Sequence, residues 1–243
     1  MKHALFGDIH GNSDALTAVL SDIQSRHSDN IYCLGDIVGY GAEPRECLGR
    51  IRDLACPTVA GNHDIAGAAN VPLDDFNEYA RKAIYWTRQQ LTDEDRAWLS
   101  ELPFVIHYEV FSMVHSSLSH PEAFPYILSD ADADRCFARM ETPLCFIAHS
   151  HVPLAFFDAV PGRPAGHQVD FTDPMAVRGK MIVNPGSVGQ PRDGAPQAAY
   201  CIYDDTTQHI TFRRVEYDVA EAARKVRAAG LPELLAWRLE IGR

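Results

Sequence analysis

Six short segments of this chain place Asp, His or Asn side chains directly after runs of apolar residues. The segments are Gly7-Asp8-Ile9-His10-Gly11-Asn12, Gly35-Asp36-Ile37-Val38-Gly39, Gly61-Asn62-His63-Asp64, His115, Ala148-His149-Ser150-His151 and Asn184-Pro185-Gly186-Ser187. Asp offers a hard anionic oxygen that can bridge two cations, and neutral His is a ligand for zinc and other transition metals. These residue types predict a metal site that is assembled from distant parts of the chain.

The spacing within the segments fits the same chemistry. Asp8 and His10 are separated by one residue, as are His149 and His151, so each pair can supply neighbouring ligands from one short segment. The glycines permit tight turns and a close approach of the backbone to a substrate. A pair of cations about 3.5–4 Å apart could activate water and hold the oxygens of a phosphoryl group.

The apolar runs before the first three segments are predicted strands, and helical patterns separate them. The strands cover residues 3–6, 31–34 and 58–60, and the second helical pattern covers residues 43–54. This β-α-β-α-β order predicts parallel strands joined by right-handed crossovers. Ligands of such sheets bind at the carboxyl ends of the strands, which is where the three segments lie.

The second half of the chain is richer in predicted strands. We expect strands over residues 104–107, 110–115, 144–148, 154–157, 181–183, 198–203 and 210–216, and helices over residues 75–91, 93–102 and 130–140. Residues 160–179, rich in Pro and Gly, are predicted to form a loop or an irregular hairpin, and two helices split by Gly230 follow the last strand. Because no linker is evident, we predict one domain over residues 1–243, a two-layered β core flanked by helices, with residues 218–243 packed on it.

The composition bounds the class of protein. The 243 residues are 46% apolar and 23% charged, which is typical of a folded globular chain, and the net charge is −11. An acidic chain is a poor nonspecific ligand for nucleic acid, since that affinity rests on Lys and Arg. No secretion signal and no apolar stretch of about 18 residues is evident, and the six scattered cysteines indicate reduced thiols. We therefore expect a cytoplasmic location and no membrane span.

The ordered set of segments resembles the calcineurin-like metallophosphoesterase superfamily, in the branch of small bacterial and archaeal phosphoesterases. The resemblance runs from Met1 to about Tyr217 and includes all five signature blocks. It implies a four-layer α-β-β-α sandwich of two mixed sheets flanked by helices. One departure is Ala148, which stands where the last block usually has Gly, and a methyl group is tolerated there unless the position needs a positive φ.

The resemblance also implies a role for each residue of the site. The first metal would be held by Asp8, His10, Asp36 and His151. The second would be held by Asp36, Asn62, His115 and His149. Asp36 would therefore bridge the two metals, and His63 would contact the phosphate from outside the metal shell and protonate the leaving oxygen. The mixed oxygen and nitrogen ligands leave manganese, iron, zinc, cobalt and nickel open as the two divalent cations.

The expected activity is hydrolysis of a small phosphodiester or phosphomonoester, with a hydroxide activated by the two metals as the nucleophile. The second block has no arginine, whereas that block in protein phosphatases and symmetrical dinucleoside tetraphosphate hydrolases has one, which counts against both. Two alternatives stay open. One is a non-catalytic protein-binding scaffold of the same fold, and the other is a nuclease, which would need a basic groove.

Three residues have a structural interpretation beside the functional one. Asn12 is a candidate substrate contact but could equally cap the first helix. Arg192 could bind a phosphate oxygen as a fork, or could be a solvated surface residue. His63 could orient a ligand rather than transfer a proton. A small phosphate ester is the expected partner, and the chain could be a monomer or a homodimer.

Overall fold

Two β-sheets face each other at the centre of the fold, in a computed structural model that describes residues 1–69, 71–158 and 165–243. The strands are β1 (Lys2–Phe6), β2 (Asn30–Cys33), β3 (Val105–His107), β4 (Phe111–Val114), β5 (Leu144–Phe146), β6 (Leu154–Phe157), β7 (Ala165–Gln168), β8 (Met175–Ala176), β9 (Met181–Asn184), β10 (Ala198–Asp204) and β11 (His209–Val215). The first sheet has the order β2-β1-β10-β11-β8 and the second the order β3-β4-β5-β9-β6-β7.

Both sheets mix parallel and antiparallel pairs. In the first sheet β1 pairs with β2 in parallel, as the β-α-β order predicted, and with β10 in antiparallel fashion. In the second sheet β5 lies between its parallel neighbours β4 and β9. The strands β3, β6 and β7 join that sheet through antiparallel pairs.

Eight helices surround the sheets in the part of the chain that the structure describes. They are α1 (Ser13–Ser25), α2 (Pro44–Leu54), α3 (Asn62–Ala68), α4 (Glu78–Gln90), α5 (Asp93–Ser100), α6 (Asp130–Phe137), α7 (Val219–Ala228) and α8 (Glu233–Ile241). Asn12 caps α1 by accepting a hydrogen bond from the backbone N–H of Ala15, and Pro44 occupies the first turn of α2.

The alternation of side chains along the strands explains the layers. In β1, Ala4 and Phe6 pack with Leu16 of α1 on the outer face, whereas Leu5 packs with Phe146 of the opposite sheet. The outer face of the second sheet packs in the same way against α6. The observed order helix, sheet, sheet, helix confirms the predicted four-layer α-β-β-α sandwich of two mixed sheets.

One predicted strand was wrong and one helix was missed. Residues 58–60 form only an isolated parallel bridge between Cys33 and Thr58, because the chain turns away after it to begin α3. The helix α3 was not predicted, since its seven residues are too few to show a helical period. Of the region 160–179, predicted as a loop or an irregular hairpin, β7 forms an antiparallel pair with β6 and β8 pairs with β11, while residues 159–164 lie outside the described residues.

The last two helices, α7 and α8, pack on each other and on the rest of the fold. Ala223 of α7 and Leu235 of α8 share a buried apolar cluster with Ala83 of α4 and with Tyr40. Among the described residues, no helix is long and apolar enough to cross a membrane. The assignment of residues 1–243 to one domain stays a prediction.

Candidate metal centre

The candidate ligands converge at the carboxyl ends of strands from both sheets. Asp8 follows β1, Asp36 follows β2, His115 follows β4, and His149 with His151 follows β5. Asn62 and His63 begin α3. The structure therefore brings together the predicted Asp and His ligands and His63, all of which are buried, while Asn62 is half-buried and begins α3 beside His63.

One group of ligand atoms contains Asp8, His10 and His151. The Nε2 atoms of the two histidines are 3.0 Å apart. The Asp8 Oδ1 atom lies 3.5 Å from His151 Nε2 and 3.9 Å from His10 Nε2. Two imidazole nitrogens that share one cation at about 2.1 Å also lie at close to this separation.

A second group contains Asp36, His115 and His149, whose ligand atoms lie within 4.8 Å of one another. The Asp36 Oδ2 atom is 3.3 Å from His115 Nε2 and 3.5 Å from His10 Nε2. Asp36 therefore stands between the two groups, where a bridging carboxylate would have to lie. His63 also offers a nitrogen within 4.8 Å of ligand atoms of Asp36 and His10.

Backbone carbonyls determine which histidine nitrogens face the centre. The Nδ1 atoms of His10, His115 and His151 lie 3.1, 2.7 and 2.6 Å from the carbonyl oxygens of Val38, Leu34 and Gln190, respectively. A carbonyl oxygen only accepts, so each Nδ1 must carry the proton and donate it. The neutral imidazoles of His10 and His151 then present the bare lone pair of Nε2 to the centre, and His115 can do so once its Nε2 proton has left. This orientation by a second hydrogen bond is usual for histidines that bind metals.

Several polar atoms of the centre are buried without a hydrogen-bond partner among the described residues. They are Asn62 Oδ1, His63 Nδ1, His115 Nε2 and His149 Nε2. A buried acceptor without a partner is unfavourable by about 1–3 kcal/mol, and facing lone pairs add repulsion. Bound cations would satisfy the atoms of Asn62, His115 and His149, so these residues fit a metal-binding role, and His63 Nδ1 is left for another partner.

The backbone is strained at the same residues. Five of the candidate ligands have positive φ angles: Asp8 (51°), His10 (49°), Asp36 (53°), His149 (69°) and His151 (60°). The left-handed region is unfavourable for L-residues by about 1–2 kcal/mol each, and such strain concentrates at functional sites. Ala148 is not among the positive-φ residues. The departure from the usual Gly therefore leaves the backbone of this turn unstrained at that position.

Asp64 supports the centre although the sequence analysis assigned it no role. Its carboxylate accepts hydrogen bonds from the backbone N–H groups of Asp36, Ile37, Val38 and Gly61, at 2.7, 2.8, 3.2 and 3.1 Å. It thus ties the turn that carries Asp36 to the start of α3. An Asp at the third residue of a helix is the sequence signal that could have revealed this role.

The charges of the centre depend strongly on one another. Burial raises the pKa of Asp8 to about 7. Burial would also raise the pKa of Asp36, but the surrounding imidazoles, His115 first, outweigh it and hold that pKa below its usual range. Burial would lower the pKa of His115, yet the Asp36 carboxylate raises it to about 9. Burial lowers the pKa of His63 to about 4 and that of His149 to about 3.

The two candidate substrate contacts have different surroundings. The side chain of Asn12 is buried and fully bonded, since Oδ1 caps α1 and Nδ2 donates to Gly189 O and the Tyr217 hydroxyl. These are the contacts of the capping role, and they occupy both polar atoms of the amide. The Arg192 guanidinium lies 5.6 Å from the centroid of the Tyr40 ring, beside the centre.

The whole chain resembles proteins of one family. Residues 1–208 match the calcineurin-like phosphoesterase superfamily domain. The crystal structure of a metallophosphoesterase from Sphaerobacter thermophilus is 43% identical, with a TM-score of 0.90, and the match covers 100% of this chain and 99% of that one. An uncharacterized protein of Methanocaldococcus jannaschii is 42% identical over 99% of this chain and 98% of its own length. The chain therefore belongs to the calcineurin-like phosphoesterase superfamily, as its ordered blocks predicted.

A second kind of relative matches only part of the chain. The symmetrical bis(5'-nucleosyl)-tetraphosphatase of Actinobacillus succinogenes is 32% identical over 132 residues, which are 49% of this chain and 45% of that protein. The chain thus spans less than half the length of this relative. The family and the clusters of potential ligands indicate hydrolysis of phosphoesters that depends on metal ions.

Gly61 offers a test of the position of Asp36. A Cβ atom at Gly61 would collide with Oδ1 and the backbone nitrogen of Asp36, whereas a Cβ atom at Gly49 in α2 would meet nothing within 4 Å. We expect Gly61→Ala to weaken manganese binding, measured by calorimetry, about 10- to 100-fold, because support of ligands has effects of this size. Gly49→Ala should leave the affinity unchanged and raise the free energy of unfolding by about 0.5–1 kcal/mol. Equal affinities for the two variants would contradict the supporting role of Gly61.

Proposed function

We propose that this chain hydrolyses small phosphate monoesters or diesters with a pair of divalent cations. The observation that carries the proposal is the presence of two ligand groups in one buried centre, with Asp36 between them. The acidic chain, with a net charge of −11, makes a nucleic-acid substrate less suitable than a small ester.

In this proposal the ligands divide as the family resemblance implies. The first cation is held by Asp8, His10, Asp36 and His151. The second cation is held by Asp36, Asn62, His115 and His149. The two carboxylates offset only part of the cationic charge, so the centre would attract an anionic phosphate although the protein as a whole is acidic.

The bound cations would supply Lewis acidity toward phosphoryl oxygens and would lower the pKa of water. The protein's own contribution is to hold the ligands in place before the substrate arrives. Carbonyl hydrogen bonds orient the rings of His10, His115 and His151, and Asp64 holds the Asp36 turn. Burial keeps bulk water away from these groups, so their charges act at a low local dielectric.

Three observations support a role of His63 toward the substrate. Its ring centroid lies 4.8 Å from that of His10 and 4.4 Å from that of Tyr40, and its Nδ1 is unpartnered. A pKa of about 4 keeps the ring neutral at pH 7 in the free protein. A bound phosphate dianion would raise that pKa, because a nearby negative charge favours the protonated imidazole. His63 could then protonate the leaving oxygen.

The role of His63 is tested by His63→Gln, with His27→Gln in the exposed turn after α1 as the matched control. Loss of a positioned acid should lower kcat about 10²- to 10⁴-fold. The metal content, measured by mass spectrometry, should stay at the wild-type value in both variants. Loss of metal together with activity in His63→Gln would show that His63 is a ligand or a structural residue instead.

Metal binding should depend on pH because two of the proposed ligands hold protons in the free protein. The pKa values of about 7 for Asp8 and about 9 for His115 mean that both are protonated at pH 6. Cations bind only the unprotonated groups, so affinity should rise between pH 6 and pH 9 as these protons leave. Calorimetry in buffers of different ionisation enthalpy should detect proton release at pH 6. Binding without proton release would contradict this protonation pattern.

The proposed activity is tested by hydrolysis of bis-p-nitrophenyl phosphate and p-nitrophenyl phosphate with manganese, iron, cobalt, nickel or zinc. Turnover that disappears in Asp36→Asn would support the proposal. No turnover with any of these metals would favour the scaffold alternative. Dinucleoside tetraphosphates belong in a wider panel, because the partial relative is named for them. The absence of arginine from the second block counts against that substrate for this chain.

A further inference from the structure

A basic cleft opens beside the candidate metal centre. It has a volume of about 490 Å³ and is lined by Arg192, Asp193, Gly194, Arg238 and Arg243. The only carboxylate side chain among these residues, that of Asp193, is already paired with Arg214. The cleft is therefore positively charged on a protein that has 33 acidic and 22 basic residues.

Arg192 connects this cleft to the metal centre. Its backbone N–H donates to the carbonyl oxygen of the candidate ligand His151, and its guanidinium lies over the Tyr40 ring. The Tyr40 ring also contacts the site, since its centroid lies 4.7 Å from that of His10 and 4.4 Å from that of His63. The guanidinium is thus set one aromatic ring away from the candidate ligands.

Arg238 reaches the same cleft from α8. Other arginines near the end of the chain have carboxylate partners, such as Arg224 with Glu221 and Arg227 with Glu233. In the described part of the chain, neither Arg192 nor Arg238 forms an ion pair, and the side-chain acceptors of Arg192 are neutral, namely the amide oxygen of Gln190 and the Tyr40 hydroxyl.

The two unpaired arginines are close enough to repel each other. Partial burial lowers the pKa of Arg238, and the charge of Arg192 lowers it further. Arg238 lines the same cleft as Arg192, whose backbone is hydrogen-bonded to the candidate ligand His151. Two like charges held together without an anion are unfavourable, and a phosphate between their planar forks would relieve the repulsion.

We propose that Arg192 and Arg238 bind a second phosphate group of the substrate, separate from the phosphate that is hydrolysed at the metal centre. This inference rests on the proposed function and narrows its substrate class to esters that carry two phosphates. Such substrates could be nucleotides or sugar bisphosphates. Arg238, which would distinguish bisphosphates from monophosphates, belongs to the last helix, α8, and lies outside the signature blocks of the family.

The test compares substrates that differ by one phosphate. Adenosine 3',5'-bisphosphate is compared with adenosine 3'- and 5'-monophosphates, and fructose 1,6-bisphosphate with the two fructose monophosphates. We measure kcat/KM on the metal-loaded full chain, and where a compound is not hydrolysed we measure its Kd by calorimetry. In at least one series the bisphosphate should be preferred, and Arg238→Ala should reduce that preference about tenfold. The series that responds distinguishes nucleotides from sugar phosphates.

The controls separate this inference from the proposed function. Arg224→Ala removes the same charge from the neighbouring helix and should leave the preference within twofold of wild type. Arg238→Lys keeps the charge but not the fork, and should retain part of the preference. If bisphosphates and monophosphates are both hydrolysed or bound, and Arg238→Ala does not change the preference between them, the inference is wrong while the proposed function stands. Failure of every compound to be hydrolysed with any metal would instead overturn the proposed function, and the Kd values would still decide the role of Arg238.

Discussion

The structure depends on the convergence of histidine lone pairs and carboxylate oxygens in one buried place. The Nε2 atoms of His10 and His151 face each other at 3.0 Å, and Asp36 lies within 3.5 Å of His10 and of His115. Without a positive charge between them these groups are unfavourable neighbours, because burial removes the water that would screen them. Much of the surrounding structure can be understood as the means of holding them there.

Strands of both sheets hold the candidate ligands in place. β1 and β2 of the first sheet end at Asp8 and Asp36, while β4 and β5 of the second sheet end near His115 and His149. The turns after these strands adopt left-handed backbone conformations that only a well-packed surrounding can maintain. The helices behind the first sheet and the apolar layer between the sheets provide this packing. Stability elsewhere thus compensates for strain at the centre.

The sequence predicted the layers and the ligand residues because those features leave local signals. Apolar runs marked most strands, and Asp, His and Asn directly after them marked the centre. The role of Asp64 was missed because the short helix α3, in which Asp64 is the third residue, was itself not predicted, and its partners in the Asp36 turn are backbone N–H groups. Arg238 was not singled out because nothing in the sequence of α8 indicates that its side chain lines a cleft together with Arg192, which lies in a distant part of the chain. The strand predicted over residues 58–60 is only a single bridge at Thr58. A short apolar run at the edge of a sheet does not reveal how few hydrogen bonds it forms.

The most direct test of this account is anomalous diffraction from crystals of the chain grown with manganese. The account predicts two peaks about 3.5–4 Å apart, with the Asp36 carboxylate between them. One peak should lie beside Asp8 and His151, and the other beside His115 and His149. A single peak, or side chains turned away from an empty centre at saturating manganese, would contradict it.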